Sequence, residues 1–238
     1  MKVIIDPGHG GFDPGGGSNA IWKEKDLALK ISKYQEQRLK QLGIPVFLTR
    51  NGDNFLTPNQ RVNIINEIAD GDSAIMISNH INNGGSQGGE VIYSIRQGDK
   101  LPQMIANELR ERGLSIRNVY TRRNSRGQDY YFVIRGSGDN VEPMLIEYGF
   151  ADNPIDQELL TNDWANLAEG VVKAIADYTQ TPYTKPTSQI YKVKNGDSLF
   201  KIANKYNTTI QKIKEDNNLT SNDLYIGQDL VIYKWKKF

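Results

Sequence analysis

The chain has 238 residues, of which 38% are hydrophobic and 24% charged, ordinary proportions for a soluble globular protein of one or two domains. It contains no cysteine, which excludes disulfides and thiolate metal sites, and no apolar run approaches the length of a membrane span. The formal net charge of +1 gives no general reason to expect nucleic-acid or membrane binding.

The charge is unevenly distributed along the chain. Residues 190–238 contain nine lysines and five acidic residues, a net charge of +4, whereas residues 1–189 contain 20 basic and 23 acidic residues, a net charge of −3. A basic C-terminal segment is typical of a region that meets an anionic surface, but charge alone favours the simpler interpretation of solvated lysines. Met1-Lys2 leads directly into an apolar strand, so we expect no signal peptide.

Short apolar segments alternate with amphipathic segments over the first three quarters of the chain. Strands are predicted at 2–6, 46–49, 73–78, 90–95, 130–134 and 143–148, and helices at 27–42, 57–69, 101–112 and 164–178. Several strands are apolar on both faces, as in a sheet covered by helices. This pattern predicts an α/β fold with a mostly parallel, twisted sheet flanked by helices and functional groups at the carboxyl ends of its strands.

The C-terminal part is predicted to form a separate small domain. Residues 180–189, QTPYTKPTSQ, contain two prolines and no periodicity, which favours a linker. The segment that follows predicts the order strand, helix, helix, strand. We therefore expect a catalytic domain over 1–179, a linker over 180–189 and a βααβ domain over 190–234.

Both histidines of the chain lie where an apolar strand ends. His9 follows KVIID, and His80 follows AIMIS in AIMISNHIN, so parallel strands would bring the two imidazoles to one edge of the sheet. Because there is no cysteine, a zinc site needs its third protein ligand from an aspartate or glutamate, and His2Glu with an open position is a catalytic arrangement. The candidate acids are Asp6, Asp13, Glu24, Asp26, Glu90 and Glu147.

Two of these carboxylates occupy distinctive places in the sequence. Glu24 lies at the entry to the first helix, where the loop from His9 returns to the sheet. Glu147 ends the strand PMLIE, where a carboxylate is costly to bury unless it is paired or used. We assign Glu24 to the metal and Glu147 to catalysis, although spacing alone does not separate the two roles.

Five segments resemble, in order, the motifs of the zinc-dependent N-acetylmuramoyl-L-alanine amidases: IIDPGHGGFDPGG, KEKDLAL, RVNIIN, SNHIN and LIEYGFADN. The resemblance runs over about residues 2–178. It implies one Zn²⁺ ion bound by His9, Glu24 and His80, with Glu147 as general base and then general acid. The bond cut would join the lactyl carboxyl group of N-acetylmuramic acid to L-alanine. Residues that would orient the ligands are Asp6, Ser78 and Asn82, and a structural role suits each of them equally.

Residues 191–233 resemble a lysin motif (LysM) domain over their whole length, on GDSLFKIA, NNL and IGQDLVI. The resemblance implies weak binding of N-acetylglucosamine-containing glycans, which would raise the local concentration of the enzyme on the wall. The implied contacts are Gly196, Asp197, Ser198, Leu199, Leu219, Leu224 and Ile226. Leu199 and Ile226 suit a hydrophobic core equally well.

The sequence thus predicts a peptidoglycan hydrolase anchored to the bacterial cell wall, either a phage endolysin or a lytic autolysin. It would be made in the cytoplasm and released by lysis or a holin-type pore. Peptidoglycan is the expected partner, with no nucleic acid, no membrane insertion and no obligate protein partner. One alternative is a catalytically inactive wall-binding protein. Another, a phosphate-binding loop at DPGHGGFDPGGG, is disfavoured because no Gly-Lys-Ser/Thr follows.

Overall fold

A computed structural model describes residues 1–186, 188–206 and 208–233 of the chain. The chain divides into two compact units, Met1–Tyr183 and Thr184–Phe238. Asn207 and Lys234, which fall within the predicted second domain, lie outside the described residues. Among the described residues, the structure contains no helix with both the length and the apolar composition needed to cross a bilayer.

The first unit is built on a six-stranded sheet with the order β2-β1-β3-β6-β4-β5. Strands β1, β2, β3 and β6 run parallel, whereas β4 is antiparallel to β6 and parallel to β5. This confirms the predicted mostly parallel sheet. The strands are β1 (Lys2–Pro7), β2 (Val46–Leu48), β3 (Ala74–Asn82), β4 (Gly89–Tyr93), β5 (Ile116–Tyr120) and β6 (Val141–Phe150).

Helices cover both faces of this sheet. Helices α1 (Glu24–Gln41), α3 (Lys100–Glu111) and α6 (Trp164–Tyr178) pack together on one face, where the Asn79 side chain of β3 bonds to α1. Helices α2 (Pro58–Ala69) and α4 (Phe132–Gly136) pack on the other face, over a core that includes Ile4, Met76 and Leu145. Because side chains alternate along a strand, even-numbered residues of β1 and β3 and odd-numbered residues of β6 face α2 and α4.

The predicted strand at 130–134 is wrong, because the chain forms the short helix α4 there. The run YYFVI has high strand propensity, but Val133 and Ile134 are both buried in the core under α2. A strand would send these adjacent side chains to opposite faces, whereas a helical turn lets both reach the same core. The partly exposed edge strand β5 and helix α5 (Pro154–Asn162) have no equivalent among the predicted elements.

The second unit has the predicted βααβ order. Strand β7 (Ser188–Lys192) pairs antiparallel with β8 (Asp229–Tyr233), and α7 (Leu199–Tyr206) and α8 (Ile210–Asn217) complete the unit. Its own core includes Tyr191, Leu199, Ile202 and Leu230.

The segment predicted as a linker over 180–189 is partly ordered by long-range contacts. The Tyr183 hydroxyl donates to Glu169 Oε1 at 2.9 Å within the first unit, and β7 begins at Ser188. Neither contact has a local sequence signal, since each partner lies far along the chain or in another strand. The connection between Tyr183 and Ser188 is therefore shorter than the linker predicted over 180–189.

Candidate active site

His9 lies on the loop that follows β1 and adopts a left-handed backbone conformation, with φ of +56°. Such a conformation is costly for a residue with a Cβ atom and persists only where surrounding contacts hold it. Arg50 donates to the carbonyls of Pro7 and Gly8 at 3.1 and 2.6 Å, and Arg61 donates to the carbonyl of His9 at 2.9 Å. The two guanidinium groups thus hold the loop that presents His9.

The glycines around His9 give other side chains room. A Cβ atom on Gly8 would lie 2.4 Å from the His80 ring, and one on Gly15 would lie 2.4 Å from the Glu24 carboxylate. Neither distance is compatible with van der Waals contact. The glycine-rich loop is therefore explained by the close packing of His80 and Glu24 against its backbone, and not only by flexibility.

His80, Glu147 and Glu90 form a row across three neighbouring strands. His80 of β3 is in register with Glu147 of β6, and Glu147 is in register with Glu90 of β4. Residues directly opposite each other share a face of the sheet, and here it is the face of α2 and α4. The three polar side chains therefore lie on the same face of the sheet as the apolar core residues under α2 and α4.

His9, Glu24 and His80 bring three ligand atoms together, all within 4.8 Å of one another. Glu24 Oε1 lies 3.1 Å from His9 Nε2 and 2.9 Å from His80 Nδ1. Glu24 is the first residue of α1 and is only 2% exposed. The start of a helix favours a negative charge, so this position suits a buried carboxylate.

The groups around these three side chains fix their orientation. Asp13 Oδ2 lies 2.8 Å from His9 Nδ1, which turns Nε2 toward Glu24. The backbone N–H of Gly17 donates to Glu24 Oε2 at 2.7 Å, and that of Ile81 donates to Oε1 at 3.0 Å. Metal-binding histidines and carboxylates commonly have such outer hydrogen bonds.

The charges of this cluster shift its ionisation. Burial alone would raise the pKa of Glu24, but hydrogen bonds from His80 and His9 outweigh it and hold that pKa far below the usual range. Burial alone would lower the pKa of His9, but the carboxylates of Glu24 and Asp13 outweigh it and raise that pKa. An ionised carboxylate between two imidazoles is the donor set of a divalent metal site.

Glu147 lies beside this cluster without a hydrogen-bond partner on one of its oxygens. Its side chain is buried, and its Oε2 atom has no partner among the described residues. Burial, followed by the negative charges of Glu24 and Glu90, raises the pKa of Glu147 well above the ordinary value. A carboxyl group with a raised pKa and an oxygen that has no partner is suited to accept a proton and return it.

An open cleft of about 430 Å³ gives access to these groups. His9, His80 and Glu147 line it together with the apolar and aromatic side chains of Phe55, Leu56, Tyr131, Phe132 and Val133. On one rim Phe12 is 80% exposed and stacks on Phe55 with a centroid distance of 4.2 Å. The cleft thus combines an ionised cluster with apolar walls, as ligand sites commonly do.

The structure brings His9, Glu24, His80 and Glu147 together. The three residues considered as orienting groups have other hydrogen-bond partners. Asp6 accepts from Ser78 Oγ at 2.6 Å and from Arg61 Nη1 at 2.5 Å, so these residues hold the arginine that clamps the loop. The side chain of Asn82 accepts from the neighbouring backbone N–H of Asn83.

Sequence reasoning assigned no functional role to Arg50 or Arg61, and it listed Asp13 only as one of the candidate acids. Arg61 is in fact buried, on the first turns of α2. The sequence signal for Arg61 was its place in the RVNIIN motif. The signal for Asp13 was its position four residues after His9.

A family profile described as N-acetylmuramoyl-L-alanine amidase matches residues 3–177. The chain belongs to this amidase family. The match confirms the predicted family and enzyme class, and a LysM domain profile matches residues 191–232 of the same chain.

Relatives of this amidase include curated proteins and solved structures. A probable cell wall amidase, LytH, of Staphylococcus saprophyticus is 31% identical over 162 residues, which cover 67% of this chain and 51% of the relative. The chain thus spans about half the length of the curated relatives it matches.

Two solved amidases cover the catalytic fold. The catalytic domain of CwlV from Bacillus (Paenibacillus) polymyxa var. colistinus is 28% identical with a TM-score of 0.65, over 76% of this chain and 100% of that one. AmiC2 of Nostoc punctiforme is 28% identical with a TM-score of 0.64, over 76% and 97%.

In the LysM unit of this amidase, the seven predicted glycan contacts have different environments. Leu199 is 2% exposed and belongs to the core, so its side chain offers a glycan almost no surface, and the prediction for it is corrected. Ile226, by contrast, is 73% exposed. Leu219 and Leu224 are half-buried against the core, Asp197 is bonded to Tyr191 and to the Lys194 N–H, and Gly196 and Ser198 are exposed.

Proposed function

We propose that this amidase hydrolyses the amide bond between N-acetylmuramic acid and L-alanine in peptidoglycan, with one Zn²⁺ ion bound by His9, Glu24 and His80. The observation that carries the proposal is the convergence of three ligand atoms within 4.8 Å at the base of an open cleft. Two imidazoles and one carboxylate leave a fourth coordination position open, which is the donor set of catalytic rather than structural zinc sites.

The donor set and its surroundings fit zinc. Asp13 on His9 and the Gly17 N–H on Glu24 provide the outer hydrogen bonds that such ligands need. When bound, zinc supplies a Lewis acid that polarises a carbonyl group and lowers the pKa of a coordinated water to about 7. The apolar walls of the cleft would limit competing solvent and strengthen electrostatic interactions within it.

Glu147 would move the proton in this reaction. Its partnerless Oε2 and its raised pKa suit a group that takes a proton from water and returns it to the leaving amine of L-alanine. Glu90, in register beside it, accepts from Arg117 and from the Tyr120 hydroxyl. Both carboxylate oxygens of Glu90 thus have hydrogen-bond partners. Glu147 Oε2 has none among the described residues and would be available to the substrate.

The second unit would hold the enzyme on the wall. We propose glycan contacts at the exposed Gly196, Ser198 and Ile226 and at the half-buried Leu219 and Leu224, with Asp197 shaping the loop between them. A single weak module attached by a short connection raises the effective substrate concentration without a new catalytic contact.

Digestion of purified cell walls, with and without a zinc chelator, tests the proposal. We expect release of new L-alanine amino groups, its loss on chelation and its return on addition of Zn²⁺. Release that is insensitive to the chelator would remove zinc from the mechanism, and reducing sugar in place of amino groups would indicate a glycosidase. Wall binding without any release would favour the inactive glycan-binding alternative.

The biological setting is proposed on the same basis. A wall-degrading amidase with a wall-binding module suits a phage endolysin or an autolysin of a lysing cell, released by lysis or through a holin-type pore. A holin gene beside the gene for this chain would favour the endolysin, and its absence together with expression in a lysing mother cell would favour the autolysin.

A further inference from the structure

An arginine-rich segment, residues 121–127 (TRRNSRG), lies next to Tyr131, which lines the cleft, and has no part in the chemistry proposed above. It belongs to a tight hairpin in which the Tyr130 N–H donates to the Arg122 carbonyl at 2.8 Å. Asn124 Oδ1 accepts from the backbone N–H groups of Arg126 and Gln128, which fixes the turn. The side chains at the base of the hairpin are therefore held in place.

Arg122 is held by aromatic rings rather than by acids. Its guanidinium lies 3.8 Å from the ring centroid of Tyr130 and 6.0 Å from that of Tyr131. Arg122 also forms a side-chain hydrogen bond with Tyr131. Stacking of this kind orients a guanidinium, and its remaining N–H groups can bind an anion.

The positive charge of this segment is not balanced locally. Within residues 1–186, 188–206 and 208–233, no carboxylate forms an ion pair with Arg122, Arg123 or Arg126, and all three are exposed. By contrast, Arg117 pairs with Glu90, and Arg96 pairs with Asp139. The nearest acid in sequence, Asp129, is buried and accepts from Ser94 and the Ile95 N–H.

Tyr131 connects Arg122 to the centre of the site. Its side chain lines the cleft together with Glu147, and its ring contacts Arg122. Burial raises the pKa of Tyr131; Arg122 opposes the rise, and Glu147 contributes to it, as expected if both charges lie near its hydroxyl. Tyr131 therefore lies near both Arg122 and Glu147.

We propose that Arg122 binds the stem-peptide carboxylate that follows L-alanine and so makes the amidase selective for stem peptides in which that carboxyl group is free rather than amidated. The inference rests on the proposed function, since it takes L-alanine to be the leaving side of the scissile bond. Two extended residues span about 7 Å, which is long enough to pass one aromatic side chain such as that of Tyr131. A guanidinium that is oriented by aromatic rings and has no ion-pair partner among the described residues is suited to bidentate carboxylate binding.

Two synthetic substrates that differ only at this group provide the test: N-acetylmuramoyl-L-alanyl-D-glutamate and N-acetylmuramoyl-L-alanyl-D-isoglutamine. We expect the zinc-loaded full chain to favour the free carboxylate by about tenfold in kcat/KM, as for one charged hydrogen-bonded contact. Arg122→Gln should bring this ratio to about one through loss of activity on the glutamate substrate, and a native circular dichroism spectrum of the variant shows that it is folded.

Arg126→Gln is the matched control, because it removes the same charge from the same exposed segment without touching an aromatic ring. It should keep the wild-type ratio. A wild-type ratio near one, or a ratio in Arg122→Gln equal to that of the wild type, would overturn the proposal. Equal loss of the ratio in both variants would also overturn it, since that result means general electrostatic attraction.

Binding of the product dipeptides separates this proposal from the proposed function. Calorimetric titration with L-alanyl-D-glutamate and L-alanyl-D-isoglutamine requires no cleavage. If the protein cleaves neither muramoyl substrate but binds the glutamate dipeptide about tenfold more tightly in an Arg122-dependent manner, the carboxylate site stands and the hydrolytic function fails. Equal binding of the two dipeptides contradicts the carboxylate site whatever the activity.

Discussion

At the scale of single residues, the proposed zinc ligands depend on neighbours that contribute no ligand atom. Gly8 leaves the space that the His80 ring fills, and Arg61 holds the carbonyl of His9 in its left-handed conformation. Asp13 orients the His9 ring from the opposite side. Small changes in these neighbours are therefore expected to act on metal binding more than on overall stability.

Gly8→Ala tests this expectation. The added Cβ atom would lie 2.4 Å from the His80 ring, so the ring or the loop that carries residue 8 has to move, which disturbs the arrangement of the ligand atoms. We expect zinc affinity to fall by at least about tenfold, the scale seen when the support of a ligand is lost. Competition with a chromophoric chelator measures the affinity directly.

Gly16→Ala is the matched control in the same loop, because a Cβ atom there meets nothing within 4 Å. Both substitutions restrict the unfolded chain equally, so this contribution cancels in the comparison. Equal zinc affinity in the two variants would show that the close approach at Gly8 does not position His80.

At the scale of elements, local sequence patterns predicted most strands and helices, but they did not predict the order of the strands in the sheet. His9 and His80 could be placed at strand ends because apolar runs and their ends are local features. The row of His80, Glu147 and Glu90 depends on β6 lying between β3 and β4, which no local pattern encodes. The same limitation explains the error at 130–134, where a tertiary core determined the helix against strand propensity.

Helix α2 offers a prediction at this scale, since Thr57 and Gln60 form a complete capping box at its start. Thr57→Ala removes the oxygen that accepts from the Gln60 N–H at 3.3 Å. We expect the free energy of unfolding of the first unit to fall by about 1 kcal/mol in a denaturant titration.

Thr121→Ala serves as the comparison, because Thr121 is exposed and lies outside any helix. It should change the free energy of unfolding by less than about 0.5 kcal/mol. A similar loss in both variants would mean that the capping box contributes nothing specific to α2.

At the scale of the whole molecule, the two units have separate cores and separate proposed tasks. The first unit alone corresponds to a complete solved catalytic domain, since the match to CwlV covers 100% of that chain. The second unit has its own core and its own two-stranded sheet. Chemistry and retention on the wall should therefore be separable.

Removal of residues 184–238 tests this separation. We expect turnover of a soluble muramoyl-peptide to stay within about twofold of the full chain, while co-sedimentation with purified walls falls by about tenfold or more, because the second binding contact is lost. Loss of soluble turnover, measured on a truncated protein with a native circular dichroism spectrum, would contradict independent catalysis by the first unit.

The central claim is that Glu147 moves the proton while His9, Glu24 and His80 hold the metal. The most direct measurement is a comparison of zinc content and release of L-alanine amino groups for the wild type and Glu147→Gln. We predict that the variant keeps one zinc per chain and loses at least about 100-fold in turnover, the usual contribution of a general base. Normal turnover by the zinc-loaded variant would contradict the assignment of Glu147, and loss of zinc together with turnover would place Glu147 among the metal ligands instead.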